Sequence, residues 1–239
     1  MNVPAILSIK SHITNMNTFS DVFIKLLSGM GTTLEIILFS VLTGAVLGLV
    51  LLALRSSGAA GRWLYGLYTG VMRASPIPIV ILLFYFGGKF LLQKAGADIT
   101  AIRDIWYAIG AIAAIAGAYF AEIIRSGIQS VDSGQAEAIA ASNIPPLTGF
   151  LRIILPQACV ISVGSFANLL ITIVKMTSVV NLVGINDVFG LAKRISNASY
   201  GMLQIQSFIS TLLIYWLLSM IISGVLKILE NKYQIITGK

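Results

Sequence analysis

The residue types that usually carry bond chemistry are sparse in this sequence and stand far apart. It has one histidine, His12, and one cysteine, Cys159, so neither a His/Cys metal cluster nor an internal disulfide can form within the chain. His12 lies in a polar stretch and reads as a solvated residue rather than a ligand. There is no GxxxxGK[ST] phosphate loop, no HExxH zinc motif and no GxSxG nucleophile elbow. By these signs the chain is not an enzyme, and any energy it uses comes from another subunit. What remains is charge and polarity set inside apolar runs. Glu35, Arg73 and Glu122 are such charges, and at membrane depth a charge faces the protein interior or an aqueous cavity. For Glu35, near the start of its run, hydration at the interface is the alternative.

Glu122 and Arg125 stand three apart, which on a helix predicts a local ion pair. A second partner for Glu122 is Arg73. By helix rise Arg73 lies about 12 Å in from Tyr65 and Glu122 about 5 Å in from Arg125, a gap that long side chains bridge. Ser162, Ser165, Asn168 and Thr172 recur at spacings of three and four and so make a polar stripe on one helix face. Hydrogen bonding between helices explains such a stripe, and so does a passage for a polar solute.

The elements that must hold these groups are membrane spans. Apolar residues make up 57% of the chain and charged ones 10%, and the mean hydropathy is +0.91, which indicates an all-α integral membrane protein. Runs of about 20 apolar residues, enough for about 30 Å of hydrocarbon, place spans near 30–54, 65–86, 107–124, 157–175 and 208–226. The net charge of +7 reads as headgroup contact, since no basic stripe suits nucleic acid. The first 20 or so residues lack the pattern of a cleaved signal peptide. Gly44 and Gly48 give the first span a small-residue face. Pro76 and Pro78 are expected to kink the second span beside Arg73. The third span, nearly all Ala, Ile and Gly, suits the centre of a bundle. Residues 87–104 read as a connection, and 180–204 as a short lid-like helix packed over one face.

One segment between the third and fourth spans is different, GQAEAIAASNIPPLTGFLRIILPQA from Gly134 to Ala158. Gln135 to Ser142 is Ala-rich with one Glu and predicts a short helix. Asn143 suits the left-handed turn that ends it, Pro145-Pro146 forbids its continuation, and Pro156 suits the first turn of the next helix. Such a helix, held rigidly between spans, is a handle on which something outside the membrane can push. The segment resembles the "EAA" coupling loop of binding-protein-dependent ABC importer permeases, with Gly134, Glu137, Ala138, Ile153, Leu155 and Pro156 at the matching positions. Ile139 stands where the family has a second Ala, which implies a different docking surface, and Asn143 where it has Gly. Three further stretches agree. Arg73-Ala74-Ser75-Pro76 is similar to the family's Arg-x-Thr-Pro, and Ala118 to Ala138 to its lead into the coupling loop. The run from Lys175 resembles Lys-Asp-Thr-Ser-Leu, with Met176 in place of the Asp. Together they point to the polar-amino-acid branch, and the missing carboxylate at Met176 argues against assuming a cationic substrate.

The resemblance covers about residues 29–230 and implies a type I ABC importer permease fold of about five transmembrane helices with a cytoplasmic coupling helix. It implies an external N-terminal segment, 1–28, a permease domain, 29–230, with the coupling loop at 132–156, and a cytoplasmic tail, 231–239. Basic residues fall on both sides of the spans, so orientation rests on the resemblance and not on charge bias. Implied partners are two ATP-binding cassette subunits, a second copy or a related permease, an external solute-binding protein and the lipid bilayer. No cofactor is expected in this chain, since ATP and Mg would be bound by the partner ATPase. The implied coupling residues are Gly134, Gln135, Glu137, Ala138, Ala141 and Asn143. Glu137 either anchors the partner or caps its own helix. Residues set along a substrate path are Arg73, Glu122, Ser165, Asn168, Lys175, Thr177 and Ser178. The expected function is ATP-driven import of a polar amino acid or an opine-like analogue across a bacterial cytoplasmic membrane. The alternative is a secondary transporter or channel subunit not driven by ATP, against which the lack of an evident internal repeat counts.

Overall fold

The computed structural model describes residues 19–237, with side chains through 228. The readings of His12 and of residues 1–18 and 238–239 lie outside the described residues. Among those described, every regular element is helical. Five stretches are long and apolar enough to cross a membrane: Phe19–Ser56, Ile77–Lys94, Ile105–Gln129, Pro146–Val183 and Gln204–Ile228.

In chain order the helices are α1 (Phe19–Leu27), α2 (Met30–Ser56), α3 (Ala59–Ala74), α4 (Ile77–Leu82) and α5 (Gly88–Lys94), with a π-turn at Leu83–Gly87 between the last two. There follow α6 (Ile105–Gln129), α7 (Ser133–Ala141), α8 (Pro146–Gly149), a π-turn at Phe150–Ile154, and α9 (Leu155–Thr177). After a 3-10 turn at Ser178–Val183 come α10 (Val188–Ala198) and α11 (Gln204–Thr237).

Two local expectations change. Pro76 and Pro78 do not kink a helix; they separate two. Ser75 is extended (φ −75°, ψ 137°) because the following proline disfavours the helical region, and Pro78 falls in the first turn of α4, where its missing N–H is harmless. The second apolar stretch therefore starts at Ile77, beyond Arg73. Pro156, expected to open a helix after a bend, lies within a continuous helical run from Pro146. It has no N–H for the Arg152 carbonyl, and the preceding turn widens, with the Leu155 N–H donating to the Phe150 carbonyl five residues back. Residues 19–27, within the segment expected to be external, form a helix, and α11 runs on to Thr237.

The chain divides into two compact units. One takes in residues 19–39 with Pro76–Ala111 and Val174–Ser219. Its core is an apolar cluster of Val22 and Leu26 from α1, Val188, Ala192 and Ile195 from α10, and Ile214 from α11. The amphipathic α1 and the short helix expected within 180–204 thus bury their apolar faces on each other. On the same unit Glu35 accepts two hydrogen bonds from the Arg103 guanidinium, at 2.9 and 3.2 Å.

The other unit comprises Ser40–Ser75, Ile112–Ile173 and residues from Met220 on. Here α2 and α6 approach closely. A Cβ at Gly44 would lie 2.9 Å from Ala116 Cβ, and one at Gly48 2.7 Å from Phe120 Cβ. α6 is buried along most of its length between Tyr107 and Ala121, as its small residues lead one to expect. Replacing Gly48 by Leu is expected to destabilise the protein by about 1–3 kcal/mol. Thermal unfolding in detergent should show a lower midpoint, whereas Gly66→Ala, with nothing within 4 Å of its Cβ, should leave the midpoint unchanged or slightly raised.

Candidate functional site

The expected coupling helix is α7. The Asp132 carboxylate accepts from the Gly134 N–H at 2.6 Å and caps its start. At its end Asn143 adopts a left-handed φ of 52°, and the Ile144 N–H donates to the Ile139 carbonyl at 3.3 Å. Pro145 is extended and Pro146 opens α8, which completes a tight elbow. Its inner face is Ile139, 7% exposed. A Cβ on Gly149 would lie 2.5 Å from Ile139 Cγ2, so the isoleucine occupies the space a larger residue at 149 would need. Ile139 therefore turns inward and braces the elbow.

The rest of α7 is open. Glu137, Ala138 and Ala141 are exposed, as are Gly134 and Asn143, and Gln135 is half-buried. Leu147, on the far arm of the elbow, is 70% exposed. Glu137 makes no hydrogen bond or ion pair among the described residues, and the cap belongs to Asp132, which removes self-capping as the role of Glu137. Beside the elbow Gln135, Arg152, Pro156 and Gln157 line an open cleft of about 470 Å³.

The two readings of Glu122 are both realised. Arg125 donates to Glu122 Oε2 from Nε at 3.1 Å and from Nη2 at 2.8 Å, and Arg73 Nη1 lies 3.6 Å from the same oxygen. The buried Tyr65 hydroxyl donates to Glu122 Oε1 at 2.6 Å, a partner that spacing does not reveal because it lies 57 residues away. The Arg73 guanidinium stays about half exposed and packs over the Tyr119 ring, 5.4 Å from its centroid.

The stripe on α9 divides. Ser162 is buried against α6, its hydroxyl 3.5 Å from the Ile123 carbonyl, while Ser165 and Asn168 are exposed. Thr172 donates to the Asn168 carbonyl. Lys175 is exposed and Ser178 half-buried. Thr177, expected along the path, is fully buried and donates to the Val174 carbonyl at 2.8 Å. Met176 is buried too. A side chain there meets core in this structure.

A further polar cluster holds the start of α10. The buried Asp187 accepts from the Gly190 N–H at 2.8 Å and from the Tyr215 hydroxyl of α11 at 2.6 Å. The Val188 N–H donates to Thr33 Oγ1 of α2 at 3.3 Å, and a Cβ on Gly29 would meet the Asp187–Val188 backbone at 3.0 Å. An Asp before an amphipathic run is a capping signal legible in sequence; its ties to α2 and α11 are not. Burial pushes the Asp187 carboxyl above its ordinary value, and the Tyr215 and Gly190 hydrogen bonds offset part of the rise. Among the described residues no group of three His, Cys, Asp or Glu stands close enough to hold a metal.

The chain as a whole is similar to known transport proteins. The profile of a family described as binding-protein-dependent transport system inner membrane component matches residues 16–235. The arginine transport system permease protein ArtQ of Bacillus subtilis is 34% identical over 210 residues, covering 87% of this chain and 92% of its own. The nopaline transport system permease protein NocM of Agrobacterium fabrum is 33% identical over 214 residues, 87% of each. A crystal structure of an amino acid ABC transporter with histidines superposes with a TM-score of 0.77 at 27% identity, over 92% of this chain and 98% of that one. An inward-facing MetNI methionine ABC transporter has the same fold, with a TM-score of 0.69 at 18% identity over 87% and 95%.

Asp187 gives a test of the second cluster. Asn at this position keeps the acceptor for Gly190 and can donate to Tyr215, whereas Ala leaves both groups unmet, at about 1–3 kcal/mol each. A carboxyl raised on folding contributes stability that is lost as pH rises through its folded value. Asp187→Asn is therefore expected to gain in unfolding midpoint relative to the wild type between pH 4 and pH 7, and Asp187→Ala to fall below both at pH 7.

Proposed function

The chain belongs to the family of binding-protein-dependent transport system inner membrane components, and from that premise we propose that α7 is the input through which a separate ATPase drives the transport of a polar amino acid or opine-like solute. It is a multi-pass protein of the bacterial cytoplasmic membrane and the membrane-spanning subunit of an ABC importer. The solute class follows its relatives, whose names specify arginine and nopaline.

One observation carries the reading. A short helix of exposed small residues is joined to a crossing helix by an elbow that Ile139 fills. Small side chains let a partner's surface come close, and Glu137 offers it an unpaired charge. Two ATPase subunits bind ATP and Mg, close on each other and carry α7 with them; the elbow passes the displacement to α9. Alternating access then needs two packings of the bundle, populated in turn. Two copies of this chain, or this chain and a related one, enclose the path. Arg73, Glu122, Ser165, Asn168, Lys175 and Ser178 line it or set its charge, with the half-exposed Arg73 guanidinium suited to a solute carboxylate. ATP hydrolysis belongs to the partner.

Glu137→Arg tests this directly. In vesicles holding the whole importer, solute uptake driven by ATP is expected to fall at least about tenfold, because the reversed charge meets the partner's groove in place of the anchor. Membrane insertion and the unfolding midpoint should not change, since Glu137 has no partner among the described residues. Undiminished coupled uptake would overturn the assignment of α7.

A further inference from the structure

Beyond the coupling end, we infer that the outer face of α10, built on Lys193, Arg194 and Asn197, receives acidic side chains of the external binding protein. This rests on the permease reading above.

α10 is amphipathic. Val188, Ala192 and Ile195 are buried in the apolar cluster with α1 and α11, which turns Lys193, Arg194 and Asn197 outward, and all three are exposed. Together with Asn181 and Asn186 they line an open cleft of about 320 Å³ whose lining includes no acidic residue. Neither Lys193 nor Arg194 forms an ion pair among the described residues. Two adjacent cations flanked by neutral amides in a concave site match a protruding carboxylate, and a cleft of this size holds one or two acidic side chains.

The side of the membrane follows from the chain path. The helical run that begins at the coupling elbow with Pro146 continues to Val183, and the turn into α10 comes next. By the family resemblance the coupling loop is cytoplasmic, so in crossing order the segment that follows the next span, α10 within it, is external, where a binding protein would approach. α10 is also suited to pass on a load. Asp187 at its start is bonded to Tyr215 of α11, and the Val188 N–H to Thr33 of α2. A lipid headgroup would find the same two cations, but this anchorage to crossing helices serves a contact that must move them.

The test uses the complete complex of permease and ATPase subunits in phosphatidylcholine vesicles. Its ATP hydrolysis is titrated with the purified solute-binding protein of the same system, loaded with its amino acid. The double variant Lys193→Glu/Arg194→Glu is expected to raise the half-saturating concentration about tenfold or more, and Lys193→Gln/Arg194→Gln several-fold. Lys94→Glu, which lies on the same unit outside the cleft, should leave it unchanged. The wild-type value should itself rise with salt. Should the wild type be stimulated and both double variants half-saturate like it, the docking site is wrong and the permease reading stands. If the wild type shows no stimulation, both readings fall. If the variants differ from the wild type only when phosphatidylglycerol is added, the patch binds headgroups and the inference is overturned.

Discussion

Ile139 is the one buried side chain of the nine-residue α7, and it is buried against Gly149, where an added Cβ would lie 2.5 Å from its Cγ2. Without that contact α7 would be a short helix of small exposed residues, too brief to hold its shape in water unaided. With it, the turn at Asn143 and the start of α8 are held at a fixed angle, and a push on α7, as proposed, would reach the base of a crossing helix. The π-turn at Phe150–Ile154 follows directly. It reconciles Pro156 with an unbroken helical run, and a single wide turn next to a rigid elbow is a natural place for that run to adjust as the load changes.

The far end of the same run is secured by different physics. Around Asp187 the ties are polar and buried, reaching α2 through Thr33 and α11 through Tyr215. Inside a bilayer, apolar burial does little to choose one helix neighbour over another, since lipid tails are as apolar as leucine. Close approach at small residues and satisfied polar groups do the choosing. Gly44 and Gly48 supply the first where α2 meets α6, and Tyr65, Glu122 and Arg125 supply the second. Neither device concerns bond chemistry; both decide which helices lie together.

What the sequence made legible was local. Apolar runs located the crossing helices, Ala-rich composition with Asn143 and Pro145 located α7 and its end, and a three-residue spacing paired Glu122 with Arg125. Arg73 reaches the same carboxylate from the end of α3, outside the span in which the sequence places it. What stayed hidden was long-range. Tyr65 and Glu122 are 57 residues apart, and Val188 and Thr33 are 155 apart; periodicity reports which face a residue occupies, not which helix lies opposite. The prolines misled for a related reason. Pro76 and Pro78 begin a helix as readily as they bend one, and only the extended Ser75 decides between the two. The face of Ile139 was equally undecided, since a docking surface and a brace use the same residue type.

The central claim is that α7 lies at the cytoplasmic surface and is covered by an ATPase. Ala138→Cys, in a chain whose exposed Cys159 is changed to Ser, allows it to be measured with a membrane-impermeant maleimide. The account predicts labelling from the cytoplasmic side only, and strong protection once the ATPase subunits are bound. Labelling from the outside, or labelling that the ATPase subunits leave unchanged, would contradict it.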